Sequence, residues 1–204
     1  KQSLMQAPYD FSQQVYRTQE GLIYLLNRLD SPTSGLIVLC KKDTTAKYIR
    51  KLFKEHKVKK TYQAIVKARF IGTNICWQDK LLINKSDQHL RTYRTSHKEG
   101  MLAKTIVNPI QNFKVHGETF SLIQLSPITG RTHQLRVQCS QHHHPILGDK
   151  IYGDFKCNHK LQARRLYLHA CSIEFSIGSQ TIVGYCESNF SEYIQKISSN
   201  SFHL

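Results

Sequence analysis

The apolar residues of this chain fall in short runs. The longest clean ones, residues 21–26 and 35–40, are no longer than one strand. Such runs are far too short for a bilayer-spanning helix, which takes roughly 20 apolar residues. Bounded by turn formers and rich in β-branched side chains, they predict strands, and 35–40 (Gly-Leu-Ile-Val-Leu-Cys) is expected as a buried one. Residues 61–67 alternate, putting Tyr62, Ala64 and Val66 on one face. Another strand is expected over 120–125, ended by Pro127. Leu166, Leu168 and Ala170 alternate, and Ile173, Phe175 and Ile177 resume the pattern out of step, predicting a register change or bulge.

Helical periodicity appears in two places. Asp43 or Thr44 can cap a helix running to about residue 56, with Ala46, Ile49, Leu52 and Phe53 on one face. Lys47, Arg50, Lys51, Lys54 and Lys57 cover its other side. A second helix is expected from 132 to about 142, with Leu135 and Cys139 inward, stopped by His144-Pro145. Residues 70–105 read as sheet edges and loops, and the first 20 as an extended arm. Many strands with two helices predict an α+β fold with a mixed, mostly antiparallel sheet. We expect one domain over 1–204, with the arm at 1–20 and a tail at 188–204.

Charge narrows the function. Lys and Arg number 29 against 14 Asp and Glu, a net charge of +15. Basic side chains displace condensed counterions from phosphates, so RNA or DNA is the first partner to consider, with a merely solubilising charge as the bland alternative. No membrane segment or secretion signal is expected. The six cysteines form neither a CxxC pair nor a zinc spacing, which fits a reducing, cytoplasmic setting.

Three blocks place polar groups beside expected buried elements: residues 27–35, 129–137 and 165–170. Asp30 leads into an apolar run and is flanked by turn formers, so its carboxylate can sit at a cleft mouth; an ordinary turn aspartate is the competing reading. A carboxylate about 4 Å from a guanidinium gains roughly 4 kcal/mol at an effective dielectric near 20. Such a partner keeps the carboxylate ionised and aimed, as a nucleophile requires.

The stretch NRLDSPTSGLIVL resembles the HRLDxxTSGLLL motif of RluA-type RNA pseudouridine synthases. ITGRTHQLRVQ followed by HPILGDKIYGD is similar to their GRTHQLRVH…HPLLGDxxYG block, KKTYQAIVKA to KxYxAxVxG, and RLYLHACSIEF to LHAxxLxF. The four matches occur in family order over roughly residues 26–175. The resemblance implies a pseudouridine synthase core with flanking helices and a central RNA-binding cleft. It also implies isomerisation of a uridine in rRNA or tRNA, without cofactor or metal. We expect a monomer. Asp30 then takes the catalytic aspartate position, attacking C1′ or C6. Tyr62 takes that of the tyrosine stacking on the base and assisting proton transfer at C5. Arg136 matches the arginine paired with the aspartate. Leu168 matches the apolar residue against the uracil, and Arg28 the position that helps hold the extruded nucleotide. Arg131, at a helix start, is a further candidate for substrate binding.

The chain also departs from the pattern. Asn27 and Gln138 stand where the family commonly has His, both expected next to the site. The family's upstream KPxG-like segment has no match in residues 1–26, so either a piece upstream is missing or this is a shortened member. A non-catalytic RNA-binding module on the same fold is the alternative function. His142, His143 and His144 lack the neighbours that would complete a metal site. His133 is expected as a structural hydrogen-bonding residue. Asp149 reads as loop structure rather than a second acid, and Gly35 as the point of close backbone approach behind Asp30.

Overall fold

The computed structural model describes residues 4–84, 92–96 and 98–199. In chain order the strands are β1 (Tyr9–Asp10), β2 (Val15–Thr18), β3 (Gly21–Leu25), β4 (Ser34–Gly35) and β5 (Leu39–Cys40). They continue with β6 (Lys59–Lys67), β7 (Ile75–Asn84), β8 (Thr92–Ser96), β9 (Met101–Val115), β10 (Glu118–Pro127), β11 (Leu168–Ile177) and β12 (Gln180–Tyr185). The helices are α1 (Asp43–Lys54), α2 (Gln134–Gln141), α3 (Phe155–Lys160) and α4 (Phe190–Ser199). A small antiparallel sheet runs β1-β2-β3-β5, and a large one runs β12-β11-β6-β10-β9-β7-β8 with β4 attached to β11. All pairings are antiparallel except β4 on β11. The α+β expectation is met.

Alternation in β6 makes the large sheet two-faced. Ala64 and Val66 join Val107, Ile123, Leu125, Leu166 and Leu168 in a core closed by Leu135 and Cys139 of α2. Ile65 points the other way, toward Phe120, Leu122 and the α4 residues Phe190 and Ile194. Ala46, Ile49 and Leu52 of α1 pack on Leu26, Val58, Ile173 and Phe175. Burying one such large side chain stabilises by about 1.5–3 kcal/mol. The expected register change in β11 falls between Ala170 and Ser172, where pairing with β6 skips Cys171.

Several expectations need correction. Residues 35–40 are not one buried strand: β4 pairs with β11 and β5 with β3, and Ile37 between them is 50 % exposed. The chain switches sheets there, so its apolar run serves two surfaces. In place of an extended arm, the β1–β2 pair is continuous with β3, and Val15 is fully buried. The sheet edges expected over 70–105 include the long strands β7 and β9. Residues 188–199 are no loose tail, because α4 inserts Phe190 and Ile194 into the core. Helix α1 begins at Asp43, with Lys42 as its cap residue and no side-chain cap bond; Asp43 instead pairs with Lys47 at 2.6 Å. Arg50 does not face solvent freely. Its Nη2 donates to the carbonyls of Gln13, Gln14 and Leu25, clasping α1 to the small sheet.

Candidate active site

Gly35 sets the geometry. Its φ of +117° suits glycine, and a Cβ there would lie 2.3 Å from the Ala170 carbonyl oxygen. Only a residue without a side chain lets β4 run parallel along β11, with Ser34 opposite His169. Two further ties hold this junction. The Ser34 hydroxyl lies 2.8 Å from His169 Nδ1 and also accepts from Arg165 Nη2. Just ahead, Asn27 braces the turn: its Oδ1 accepts from Val38 N–H at 2.7 Å and its Nδ2 donates to the Leu36 carbonyl at 3.3 Å. Asp30 sits between these braces, its carbonyl accepting from Thr33 N–H at 2.8 Å.

The resulting cleft has a volume of about 330 Å³ and is lined by Arg28, Asp30, Tyr62, Arg131, His133 and Leu168 among others. Five of the six residues singled out in the sequence therefore meet in one groove. The sixth, Arg136, reaches it from behind, its Nη1 3.6 Å from Asp30 Oδ2. Asp30 is about a quarter exposed (24 %), whereas the Arg136 side chain is 3 % exposed. Arg28 lies exposed at the rim. Arg131 is anchored by its Nε on the Leu102 carbonyl at 3.0 Å. Leu168 is buried, one strand over from Tyr62.

Burial first, and the Asp30 charge second, push the Tyr62 phenol up to about 12, so its ring is neutral at ordinary pH. Lys60, two positions earlier on β6, also lines the cleft, and its burial lowers the ammonium from its ordinary value. His133 has φ +56° at the start of α2, and its Nδ1 is 2.8 Å from the Tyr152 hydroxyl, in keeping with a structural histidine. Desolvation lowers its imidazole; the Asp30 charge opposes this and Arg136 adds to it.

The sequence reading overlooked the chief partner of Arg136. Asp149 lies in a loop, as expected, but its carboxylate is 1 % exposed and takes Nε at 2.7 Å and Nη2 at 2.8 Å from Arg136. Burial alone would raise the Asp149 carboxyl. The Arg136 guanidinium and the N–H groups of Tyr152 and Ile151 outweigh it, and the net displacement is downward. A charge two residues beyond the apolar pair Ile146-Leu147, after a turn glycine, was the available signal. Gln138 also departs from expectation. It does not line the cleft; its buried amide bonds Thr105 at 2.6 Å and Asp79 at 2.6 Å. Of the histidine run, His142 stacks on Trp77 at 4.5 Å and lies 3.1 Å from Asp79. His144 Nδ1 lies 3.3 Å from the Lys67 carbonyl. Among the described residues no group of three His, Cys, Asp or Glu is arranged to hold a metal ion, and no helix is long and apolar enough to cross a membrane.

A family model described as RNA pseudouridylate synthase matches residues 6–141, a span holding Asp30, Tyr62 and Arg136. The tRNA pseudouridine synthase C of Vibrio parahaemolyticus is 33 % identical over 177 residues, covering 81 % of this chain and 71 % of that protein. The ribosomal large subunit pseudouridine synthase D of Borreliella burgdorferi is 33 % identical over 157 residues, covering 77 % of this chain but only 46 % of its own length. This chain thus spans less than half of that relative. Human RNA pseudouridylate synthase domain containing 1 superposes with a TM-score of 0.74 at 25 % identity, over 82 % of this chain and 70 % of that one.

Proposed function

This chain belongs to the RNA pseudouridylate synthase family, and from that premise we propose that it converts a uridine of tRNA or rRNA to pseudouridine, with Asp30 as the nucleophile. The observation that carries this is the Asp30 carboxylate, open to the cleft, 3.6 Å from the Arg136 guanidinium and beside Tyr62 and Leu168. Relatives named for tRNA and for ribosomal RNA are equally similar, so the two targets stand together.

A base inside a stack is out of reach, so the uridine has to be extruded at a cost of a few kcal/mol. Stacking on the neutral Tyr62 ring, packing against Leu168, and contacts from Arg28 and Arg131 offset that cost. Asp30 then bonds to C1′ or to C6, and the N1–C1′ bond breaks. The uracil turns, C5 bonds to C1′, and the carboxylate is released. The C5 hydrogen leaves as a proton and N1 ends protonated. Product and substrate have the same composition, so the balance calls for no redox partner. Tyr62, beside Asp30 in the cleft, is placed to stack on the base and to assist the proton transfer at C5. The six cysteines form no CxxC pair and no zinc spacing, which supports a reducing, cytoplasmic setting.

The test is pseudouridine mapping, after carbodiimide treatment, in tRNA and rRNA incubated with the wild type or with Asp30→Asn. The variant should lose at least about 10⁴-fold in rate while RNA affinity stays within about twofold. Pseudouridine formation at the wild-type rate in Asp30→Asn would refute the proposal.

A further inference from the structure

Helix α3 has two unlike flanks. Inward, Cys157 and Leu161 pack with Ile65 and Phe120 on one face of the large sheet. Outward, Phe155 and His159 are one helical turn apart and line a groove of about 490 Å³, together with Gly148, Lys150, Gln162 and Arg164 among others. Phe155 is 61 % exposed and joins none of the apolar clusters among the described residues. The charges divide in the same way. Toward β6 and β10 the cations are neutralised, Lys67 by Asp154 at 2.6 Å and Glu118 at 3.3 Å, and Lys160 by Glu118 at 3.0 Å. No carboxylate lines the groove, and among the described residues neither Lys150 nor Arg164 lies in an ion pair.

The groove adjoins the scaffold of the cleft. Gly148 is followed by Asp149, whose carboxylate turns onto Arg136. Arg164 is followed by Arg165, whose Nη2 donates to the Ser34 hydroxyl beside the Asp30 segment. Successive Cα atoms are about 3.8 Å apart, so at both places one step of chain links the groove to that scaffold. A single strand a few nucleotides long can occupy both. We propose that this groove is a second nucleotide subsite: it stacks an unpaired base of the RNA on Phe155 and holds the adjoining phosphate between Lys150 and Arg164. This rests on RNA being the substrate. An exposed aromatic face binds any base by stacking, and a cation meeting a phosphate releases condensed counterions. Lys150 and Arg164 can do so without first breaking an ion pair, which Lys67 and Lys160 cannot.

The test measures affinity for unfractionated tRNA and for ribosomal RNA across a salt series, in the Asp30→Asn background so that no turnover intervenes. Phe155→Ala should weaken binding about 10-fold, the size of a lost stacking contact, with the salt slope unchanged. Phe155→Trp keeps a ring and should stay within about threefold of its parent. Lys150→Gln combined with Arg164→Gln should flatten the slope of log affinity against log salt by about 1.4, at about 0.7 for each single-strand phosphate contact. Lys160→Gln, on the paired flank of α3, should leave that slope as it is. Lys150, Phe155 and Arg164 are exposed, so these substitutions should move Tm by less than about 2 °C.

Phe155→Ala binding as tightly as its parent overturns the proposal, and so does an equal loss in Phe155→Ala and Phe155→Trp. A loss confined to the charge variants means a phosphate track without a base subsite, and the proposal fails. The unsubstituted chain supplies a separate readout: ultraviolet irradiation with RNA carrying 4-thiouridine should attach a nucleotide to the peptide that contains Phe155. Attachment only elsewhere overturns the proposal. If the wild type forms no pseudouridine while these binding results hold, the isomerase reading falls and the subsite stands. If it isomerises uridine while Phe155→Ala binds unchanged, the subsite alone falls.

Discussion

The two walls of the cleft are built in opposite ways. The wall carrying Asp30 is a segment without regular structure between β3 and β4, held by the Asn27 amide and one turn bond, with Arg28, Ser31 and Pro32 exposed. The wall carrying Arg136 is α2, buried almost all round despite its polarity. Gln134 accepts from the Thr129 hydroxyl and Arg131 N–H and donates to the Lys104 carbonyl and the Thr105 hydroxyl. One turn on, Gln138 ties Thr105 to Asp79. A satisfied buried network is rigid and does not tolerate loss of a member. The contrast suits the proposed chemistry, in which the nucleophile makes and breaks a bond while the charge that steers it stays still.

Truncating each partner of the Asp30–Arg136 pair tests this contrast most strongly. Arg136→Ala leaves Asp149 charged and buried without its partner, so stability should fall by about 3–5 kcal/mol in urea unfolding. Asp30→Ala removes a carboxylate that still reaches water, and should change stability by less than about 1 kcal/mol. Equal losses at the two positions would mean that the walls do not differ as described.

The same contrast explains what could be read from the sequence. Where burial follows hydrophobic period, the reading held. Ala46, Ile49 and Leu52 face the core from α1, the β6 alternation separates two cores, and the break in β11 is where the pattern lost step. Motif order pointed to Arg28, Asp30, Tyr62 and Leu168, which line one cleft together with Arg131, a residue that stands out in the sequence for its place at a helix start. Polarity misled in two directions. Gln134, Gln138 and Asp149 are buried because partners distant in sequence satisfy them, and no local pattern shows those partners. Ile37, inside the cleanest apolar run, is half exposed because its neighbours serve two different sheets. Asn27, read as a departure beside the site, proves to be a brace of the Asp30 segment.

Gly35 is where the loosely built wall is fastened to the large sheet, so it sharpens the comparison at the next level of effect. Gly35→Ala puts a methyl group into the Ala170 backbone at a φ that L-residues rarely adopt. Strain of that kind costs about 1–3 kcal/mol. Relief requires β4 to lift off β11, carrying Asp30 with it. We expect a modest fall in Tm together with a loss of single-turnover rate far larger than the stability change implies. A variant that loses Tm but keeps its rate would show that the Asp30 segment is positioned without the β4–β11 pairing.

Tyr62 offers the smallest effect and the most direct probe of the cleft's electrostatics. Its phenol is held at about 12, by burial first and the Asp30 charge second, against an ordinary value of 10.0. A raised value means that the folded state keeps the proton that the unfolded chain gives up. The associated stability is therefore fully present below pH 10 and is lost as the pH climbs toward 12. At pH 11 the loss amounts to about 1 kcal/mol. Tyr62→Phe has no proton to lose, so its stability should fall less steeply than the wild type between pH 10 and 12, while the two behave alike at pH 7. Adding Asp30→Asn to the wild type should flatten the same alkaline slope in part, since it removes the second cause and leaves burial. If Asp30→Asn leaves the slope untouched, the carboxylate does not act on the ring, and the two groups do not share a cleft in the way the geometry requires.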